Sequence, residues 1–339
     1  MRVGLAAWPS IVAGWLLLVG GGVPASAAEP VEELRLLSEH AVQGMIGGNL
    51  SGLAQCGAAL WAVSDRDDRV LYRLEPSAAA VWTAQPQAML VPPAPPSGLS
   101  QGIRLLAQAA GYVRGGALDY EGISCDAKGN RYVVSEARAA VLKVPAQGPA
   151  QWLRIDPEVV RQARAQGLLA HFNAIYEGLA VDPSGSRLWL AAERQRRGIV
   201  RIDRRDDGSW GCTGPCVLLS QGGKVPLPDA RQPGRSQYRD FADVSLHTGK
   251  LFTLERNAYR ICRRDAASAK LERCWSFAAA ALAPGRRYAQ PYGLLEALAV
   301  DAEGAWLGVD NNERPREDGE LRPIVWRFAA PAGGWDAAP

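Results

Sequence analysis

Residues 119–144 read "DYEGISCDAKGNRYVVSEARAAVLKV": a glutamate and a glycine, a short apolar run, the turn "DAKGN", a second apolar run and a second glutamate. Runs of about five residues rich in β-branched and aromatic side chains, bounded by turn formers, mark a β-hairpin. Glu121 and Glu136 are equidistant from the turn, which predicts that they face one another at the open end of that hairpin. Like charges placed that way repel, so something has to offset them.

The pattern recurs. Further copies run "NLSGLAQCGAALWAVSDRDDRVLYRLEP" from Asn49, "IYEGLAVDPSGSRLWLAAERQRRGIVRID" from Ile175, "DFADVSLHTGKLFTLERNAYRICRRD" from Asp240 and "GLLEALAVDAEGAWLGVDNNERPREDGELRPIVWRF" from Gly293. Five copies about 50 to 70 residues apart signal a repeat architecture. Each holds two runs about a turn and then a third, and in most a fourth follows: "AVWTAQ", "AQWLRID", "CVLLSQ" or "RCWSF". Four strands per unit at this period describe an all-β fold, a β-propeller of four-stranded blades. The count is five blades, or six if degenerate strands lie between Val91 and Leu118.

The last copy lacks a fourth run, whereas "EELRLLSEH" (32–40) precedes the first. That N-terminal strand is expected to complete the last blade and so remove a bare sheet edge. Between blades, "DPEVVRQARAQGLLAHF" has helical spacing with Asp156 as N-cap, and "GLSQGIRLLAQAAGY" from Gly98 reads as a mixed helical or strand segment.

Copying the blade copies the carboxylate pair onto one mouth of the ring. Glu177 pairs with Glu193 and Glu296 with Asp310, while Ser51 faces Asp65 and Ala242 faces Glu255. Glu121, Glu177, Glu296 and Asp310 are the candidate metal ligands. Calcium suits them, since it takes six to eight oxygens in a flexible geometry, whereas zinc would need His or Cys at suitable spacing. Glu136 and Glu193 are the candidate catalytic bases, and Arg194, Arg256, Asn311 and Asn312 the candidate substrate contacts. Arginines beside the second carboxylates (Arg66, Arg138, Arg194, Arg256) offer the plainer alternative of a purely structural ion-paired ring. Tyr120 and Tyr176 either line a pocket or pack between blades. His171, in an inserted loop, is either a general base or a surface residue.

The rest of the chain sets the context. With 339 residues, 47% hydrophobic and 22% charged, it can bury a sizeable core. A net charge of +3 and the lack of a basic, aromatic-laced stripe argue against a nucleic-acid partner. Residues 1–28 read as a signal peptide: Arg2, an apolar run broken by Pro9 and Gly14, and a small-residue end in which Ala25 and Ala27 fit a cleavage site. An uncleaved anchor is the alternative, and no later segment is long and apolar enough to span a membrane. Residues 29–339 then form a single propeller domain, periplasmic or secreted and monomeric. In an oxidising compartment the six cysteines read as disulfides, Cys212 with Cys216, Cys262 with Cys274, and Cys56 left to Cys125.

"YEGLAVDPSGSRLWLAAE", "LFTLERN" and "LEALAVDAEGAWLGVDNN…PIVWRF" resemble the phytase-like propeller family described as having esterase-like activity, and the blade phrase also looks like the SdiA-regulated propellers. The resemblance runs from about Asn49 to Phe328. It implies an exported propeller that binds calcium and hydrolyses an ester or phosphate ester, with a small anionic or ester molecule as ligand. Ser51 and Ala242 depart from the glutamate of the other copies, which leaves the acidic ring incomplete. The competing reading is therefore a propeller that binds a ligand or partner without turning it over. Neither a G-x-S-x-G elbow nor a Gly-rich phosphate loop is present.

Overall fold

Four antiparallel strands per repeat fold into five sheets around one axis. The computed structural model describes Met1 and residues 31–45, 49–290 and 292–337; the expected signal peptide, beyond Met1, lies outside the described residues. Val31–Pro339 forms one unit.

Blade 1 comprises Gly52–Cys56, Ala59–Val63, Val70–Leu74 and Gln85–Ala88, and blade 2 Tyr120–Cys125, Arg131–Ser135, Ala140–Val144 and Gln151–Trp152. Blade 3 comprises Tyr176–Val181, Arg187–Ala192 and Arg196–Arg204, its outer edge divided between Trp210–Gly211 and Val217–Gly222. Blade 4 is built from Asp243–His247, Lys250–Glu255, Arg260–Asp265 and Leu271–Ser276. Blade 5 has Leu295–Asp301, Gly304–Val309 and Ile324–Ala329, and takes Leu36–Gln43 from the start of the chain as its fourth strand. The strand expected to close the ring does so.

One expected strand is placed differently. Of "AVWTAQ", Val81–Thr83 runs parallel to Leu36–Gln43 on the side away from Ile324–Ala329, and the fourth strand of blade 1 is Gln85–Ala88. The strand propensity is real, but its partner lies in blade 5. Trp82 stacks on His40 with ring centroids 4.2 Å apart, and His40 Nδ1 lies 2.6 Å from the Ala79 carbonyl, so the closing strand is held from both sides.

The five inner strands pack in sequence, and that of blade 5 returns to that of blade 1. Glycine permits the close approach. A Cβ on Gly52 would lie 2.8 Å from the Gly122 Cα, and one on Gly122 would lie 2.8 Å from the Gly178 Cα. Outward from this seam, apolar side chains fill the spaces between blades; Tyr120 and Tyr176 are wholly buried there, so they pack rather than line a pocket. Cys56–Cys125 ties the inner strands of blades 1 and 2, Cys262–Cys274 bridges two strands of blade 4, and Cys212–Cys216 closes a short loop.

Connections between blades carry the helices. Gln101–Arg114 is α1, resolving the ambiguous segment as helix, and Pro157–Ala165 is α2. Asp156 caps α2, its Oδ1 accepting from the Glu158 amide at 2.9 Å, and Val159, Val160 and Ala163 face the core. Among the described residues no helix is long and apolar enough to cross a membrane.

Candidate functional site at the mouth of the ring

The glutamates reach the axis through a local break in pairing. In blades 2, 3 and 5 the ladder between the first two strands slips between Tyr120 and Gly122, between Tyr176 and Gly178, and between Leu295 and Ala297. The residue left without a cross-strand partner is Glu121, Glu177 or Glu296. A bulge frees one residue from the ladder and re-aims its side chain. In blades 1 and 4, where Ser51 and Ala242 stand in that position, pairing begins regularly at Gly52 opposite Val63 and Asp243 opposite Leu254.

The same registers define the second position. Gly122 lies opposite Val134, and Glu136 follows two residues later; counted alike from Val63 and Leu254, the equivalents are Asp65 and Arg256. Glu193 and Asp310 fill the place in blades 3 and 5, each following the residue opposite Tyr176 or Leu295. Continued one rung past Asp243 opposite Leu254, the blade 4 register sets Ala242 opposite Glu255 as expected, but blade 4 lacks the bulge, and the residue in the place of the other blades' carboxylate is Arg256. Glu255 turns away from the mouth and binds Arg197, Arg260 and Arg264 at 3.0, 2.6 and 2.8 Å.

These side chains converge. A cavity of about 280 Å³, open to solvent, is lined by Glu121, Glu136, Glu177, Glu193, Glu296 and Asp310, together with Asp65, Arg194, Arg256 and Asn312, all but Asp65 among the candidates from sequence. Asn311 is the exception; it is buried, does not line the cavity, and its Nδ2 donates to the Leu321 carbonyl at 2.7 Å. His171 is exposed and also absent from the lining. The well continues outward into a space of about 430 Å³ walled in part by Gln237, Gln290, Tyr292 and Arg314.

Within the well the charges divide. Arg256 makes ion pairs with Glu193 and Glu296, and its Nε lies 3.2 Å from Asp240. Arg194 also binds Glu193 and donates to the Asn173 carbonyl at 2.7 Å, its side chain 31% exposed. Toward blades 1 and 2, Asp65 accepts from the Asn49 amide at 2.8 Å and Glu136 from the Ile175 N–H at 2.9 Å. Asp65, Asp119 and Glu121 each offer an oxygen, and these oxygens lie within 4.8 Å of one another. Glu177, only 7% exposed, lines the cavity with no hydrogen-bond or ion-pair partner among the described residues.

Enclosure and crowding shift the acids upward. Glu121, Glu136 and Glu177 are pushed well above the ordinary carboxylate range, first by burial and then by neighbouring acids: Glu177 for Glu121, Asp119 for Glu136, Glu193 for Glu177. Burial, opposed in part by Arg256, raises Glu296 to about 8 and Asp240 to about 7. Burial and Asp65 raise Asp310 to about 7. Such a set favours either bound protons or a bound cation. All its donors are oxygens, which fits a hard divalent ion such as calcium.

Three contributors escaped the sequence reading. Asp119 and Asp240 each stand two residues before the inner-strand position, in "DYE" and "DFA", a recurrence that could have been noticed. Asn173 carried no such signal.

Fold and site together define a five-bladed β-propeller with a carboxylate well at one mouth. Residues 46–211 match the phytase-like family, described as "Esterase-like activity of phytase", and the resemblance read from the motifs is borne out over that stretch. No curated protein matches the chain. Among solved structures, glutaminyl cyclase of Myxococcus xanthus is similar at 14% identity over 88% of this chain and 97% of that one, with a TM-score of 0.48. PQQ-bound aldose sugar dehydrogenase of Streptomyces coelicolor matches at 13% over 88% and 98%, TM-score 0.41, and virginiamycin B lyase of Staphylococcus aureus at 12% over 88% and 75%, TM-score 0.36. Likenesses at this level say nothing of what this chain acts on.

Proposed function

We propose that the protein is an exported, calcium-assisted hydrolase of esters or phosphate esters, acting at the mouth of the ring. The observation that carries the reading is the convergence of carboxylates from four blades on one solvent-open well in which Glu177 is buried without a partner. Glu121 and Glu177 would hold the ion, with Asp65 and Asp119 beside them. When bound, calcium would polarise a phosphoryl or carbonyl oxygen and make a nearby water more acidic.

The chain's own groups do the rest. Glu193, fixed by two guanidinium groups through Oε1 and left without a hydrogen bond at Oε2, takes the proton of the attacking water. Glu136, whose pKa burial, Asp119 and Glu193 push well above the ordinary carboxylate range, is the group placed to give a proton to the leaving alkoxide. Arg194, partly exposed at the rim, contacts the anionic end of the substrate. That role does not extend to Arg256, whose guanidinium is committed to three carboxylates. Three disulfides suit a periplasmic or secreted location.

The test is turnover of p-nitrophenyl acetate and p-nitrophenyl phosphate, with calcium or with chelator. One of the two should be hydrolysed only with calcium, and Glu177→Gln should lower the rate by about 100-fold or more. Turnover indifferent to chelator and to that substitution would remove the hydrolase reading. A binding propeller without chemistry is the second reading, favoured by Arg256 standing where the other blades have an acid; calcium binding with no turnover on either ester would select it.

A further inference from the structure

Helix α1 has two apolar faces, and the propeller covers one of them. Ile103, Ala107 and Gly111, four residues apart, are buried. On the outward arc Leu105, Leu106 and Val113 are 58, 53 and 85% exposed, with Ala109 and Ala110 between them and no charged residue. The outer face of a surface helix is ordinarily polar. Just past the end of α1, Gly116 packs on the backbone of Asp65, an acid of the well, so the helix reaches the rim of the mouth.

Other exposed apolar side chains gather there. Leu90 follows the fourth strand of blade 1 at the end where Ala88 pairs with Val70, the mouth end. Tyr238 and Leu321, both exposed, offer their carbonyls to Asn257 and Asn311 at the mouth ends of blades 4 and 5, and Tyr292 walls the outer space. Apart from Met1, the exposed large apolar residues described outside these connections are Val31, Leu37 and Leu271. Such side chains are unremarkable when scattered; gathered around one opening from four separate connections, they form a rim.

Charge indicates what the rim meets. Residues 89–118 contain Arg104 and Arg114 and no acid, and residues 223–239 contain four cations and one acid. That acid, Asp229, is paired with Arg231, and in the loop after Asp310 the acids Glu313, Glu317, Asp318 and Glu320 are each paired with an arginine. Arg104, Lys224 and Arg239 have no acidic partner among the described residues. Leucine and tyrosine side chains interspersed with uncompensated cations suit a flat interface, apolar beneath and anionic at its surface.

We propose that the mouth face seats on an anionic lipid surface, with the outward arc of α1 at the boundary of headgroups and acyl chains and the rim cations on the headgroups. The inference concerns binding alone and stands whether or not the well takes calcium or hydrolyses an ester.

Co-sedimentation with vesicles, in chelator and at low salt, tests it. The protein should bind vesicles of phosphatidylglycerol mixed with phosphatidylcholine, and bind phosphatidylcholine alone about tenfold or more weakly. Leu105→Ser and Leu106→Ser together should weaken binding to the mixed vesicles by about tenfold or more. Leu271→Ser, at a residue 47% exposed but outside the rim, should leave it within about twofold. All three positions are exposed, so neither variant loses core packing. Failure of the wild type to sediment with the mixed vesicles, or equal binding by the wild type and the double variant, would overturn the inference. So would a protein that ignores vesicles and forms dimers which the double substitution dissolves; the rim would then be an interface between copies of this chain.

Discussion

Glu255 shows how one residue can be strand-bound, acidic and yet apart from the mouth. It is 1% exposed and has three guanidinium groups, those of Arg197, Arg260 and Arg264, around its two oxygens. Burial alone would raise its pKa; the arginines outweigh burial and hold it down at about 2. Arg197 and Arg264 also lie over the Phe241 ring, at 4.3 and 5.0 Å from its centroid. Removing the anion leaves two nearly buried cations uncompensated, so Glu255→Gln should destabilise the fold by about 3–5 kcal/mol. Chemical denaturation measures this, and a loss below about 1 kcal/mol would show that water already serves these arginines. The sequence made Glu255 look like a mouth residue because counting from the turn "HTGK" assumes that every hairpin has the same register. Its neighbour Arg256 inherits the place only once the absence of a bulge is known, and no pattern of residue types announces a bulge.

At the scale of the strand, the bulge is what turns a repeated Glu-Gly pair into a site. The glutamate side chain escapes the ladder, and the glycine after it lets the backbone of the next blade come close. A Cβ at position 122 would meet the Gly178 Cα at 2.8 Å, the Glu177 carbonyl oxygen at 3.0 Å and the Leu179 nitrogen at 3.1 Å, all of them backbone atoms that cannot swing aside. Gly122→Ala should therefore push blades 2 and 3 apart at the axis, at a cost of about 1–3 kcal/mol. It should also weaken calcium binding through the displaced Glu177; urea unfolding at unchanged calcium affinity would separate a packing defect from this coupling. The Glu-Gly pairs themselves were legible, as were the hairpins, the Asp156 cap and all three cysteine pairings. The partner of Val81–Thr83 was not, because an apolar, aromatic strand carries no mark of which sheet it will join.

For the molecule as a whole, the crowded mouth sets a pH dependence. Glu296 at about 8, and Asp240 and Asp310 at about 7, keep protons in the folded state that the unfolded chain has released by then. Stability from these groups is greatest near the ordinary carboxylate range and falls as pH rises through 7 to 8. Glu255 works the other way, but its contribution is complete above the ordinary value of 4.5 and fades only as pH drops toward about 2. Between about pH 5.5 and pH 8 the mouth thus dominates, and the chelated protein should melt at a lower temperature at the upper end. Added calcium should lessen the difference by replacing protons with an ion. A melting temperature that climbs across this range without calcium would contradict the assignment. The toroid itself was readable from five copies of one phrase, whereas the charge balance at its centre depends on which acids meet, and that is a property of the closed ring.

That closure has a kinetic side. Leu36–Gln43 waits for Ile324–Ala329, almost the whole chain away, and then lies trapped against Val81–Thr83. Pairings so distant in sequence form late. The toroid is consequently clasped in one terminal event, and until it happens blade 5 presents a bare edge to any neighbouring chain.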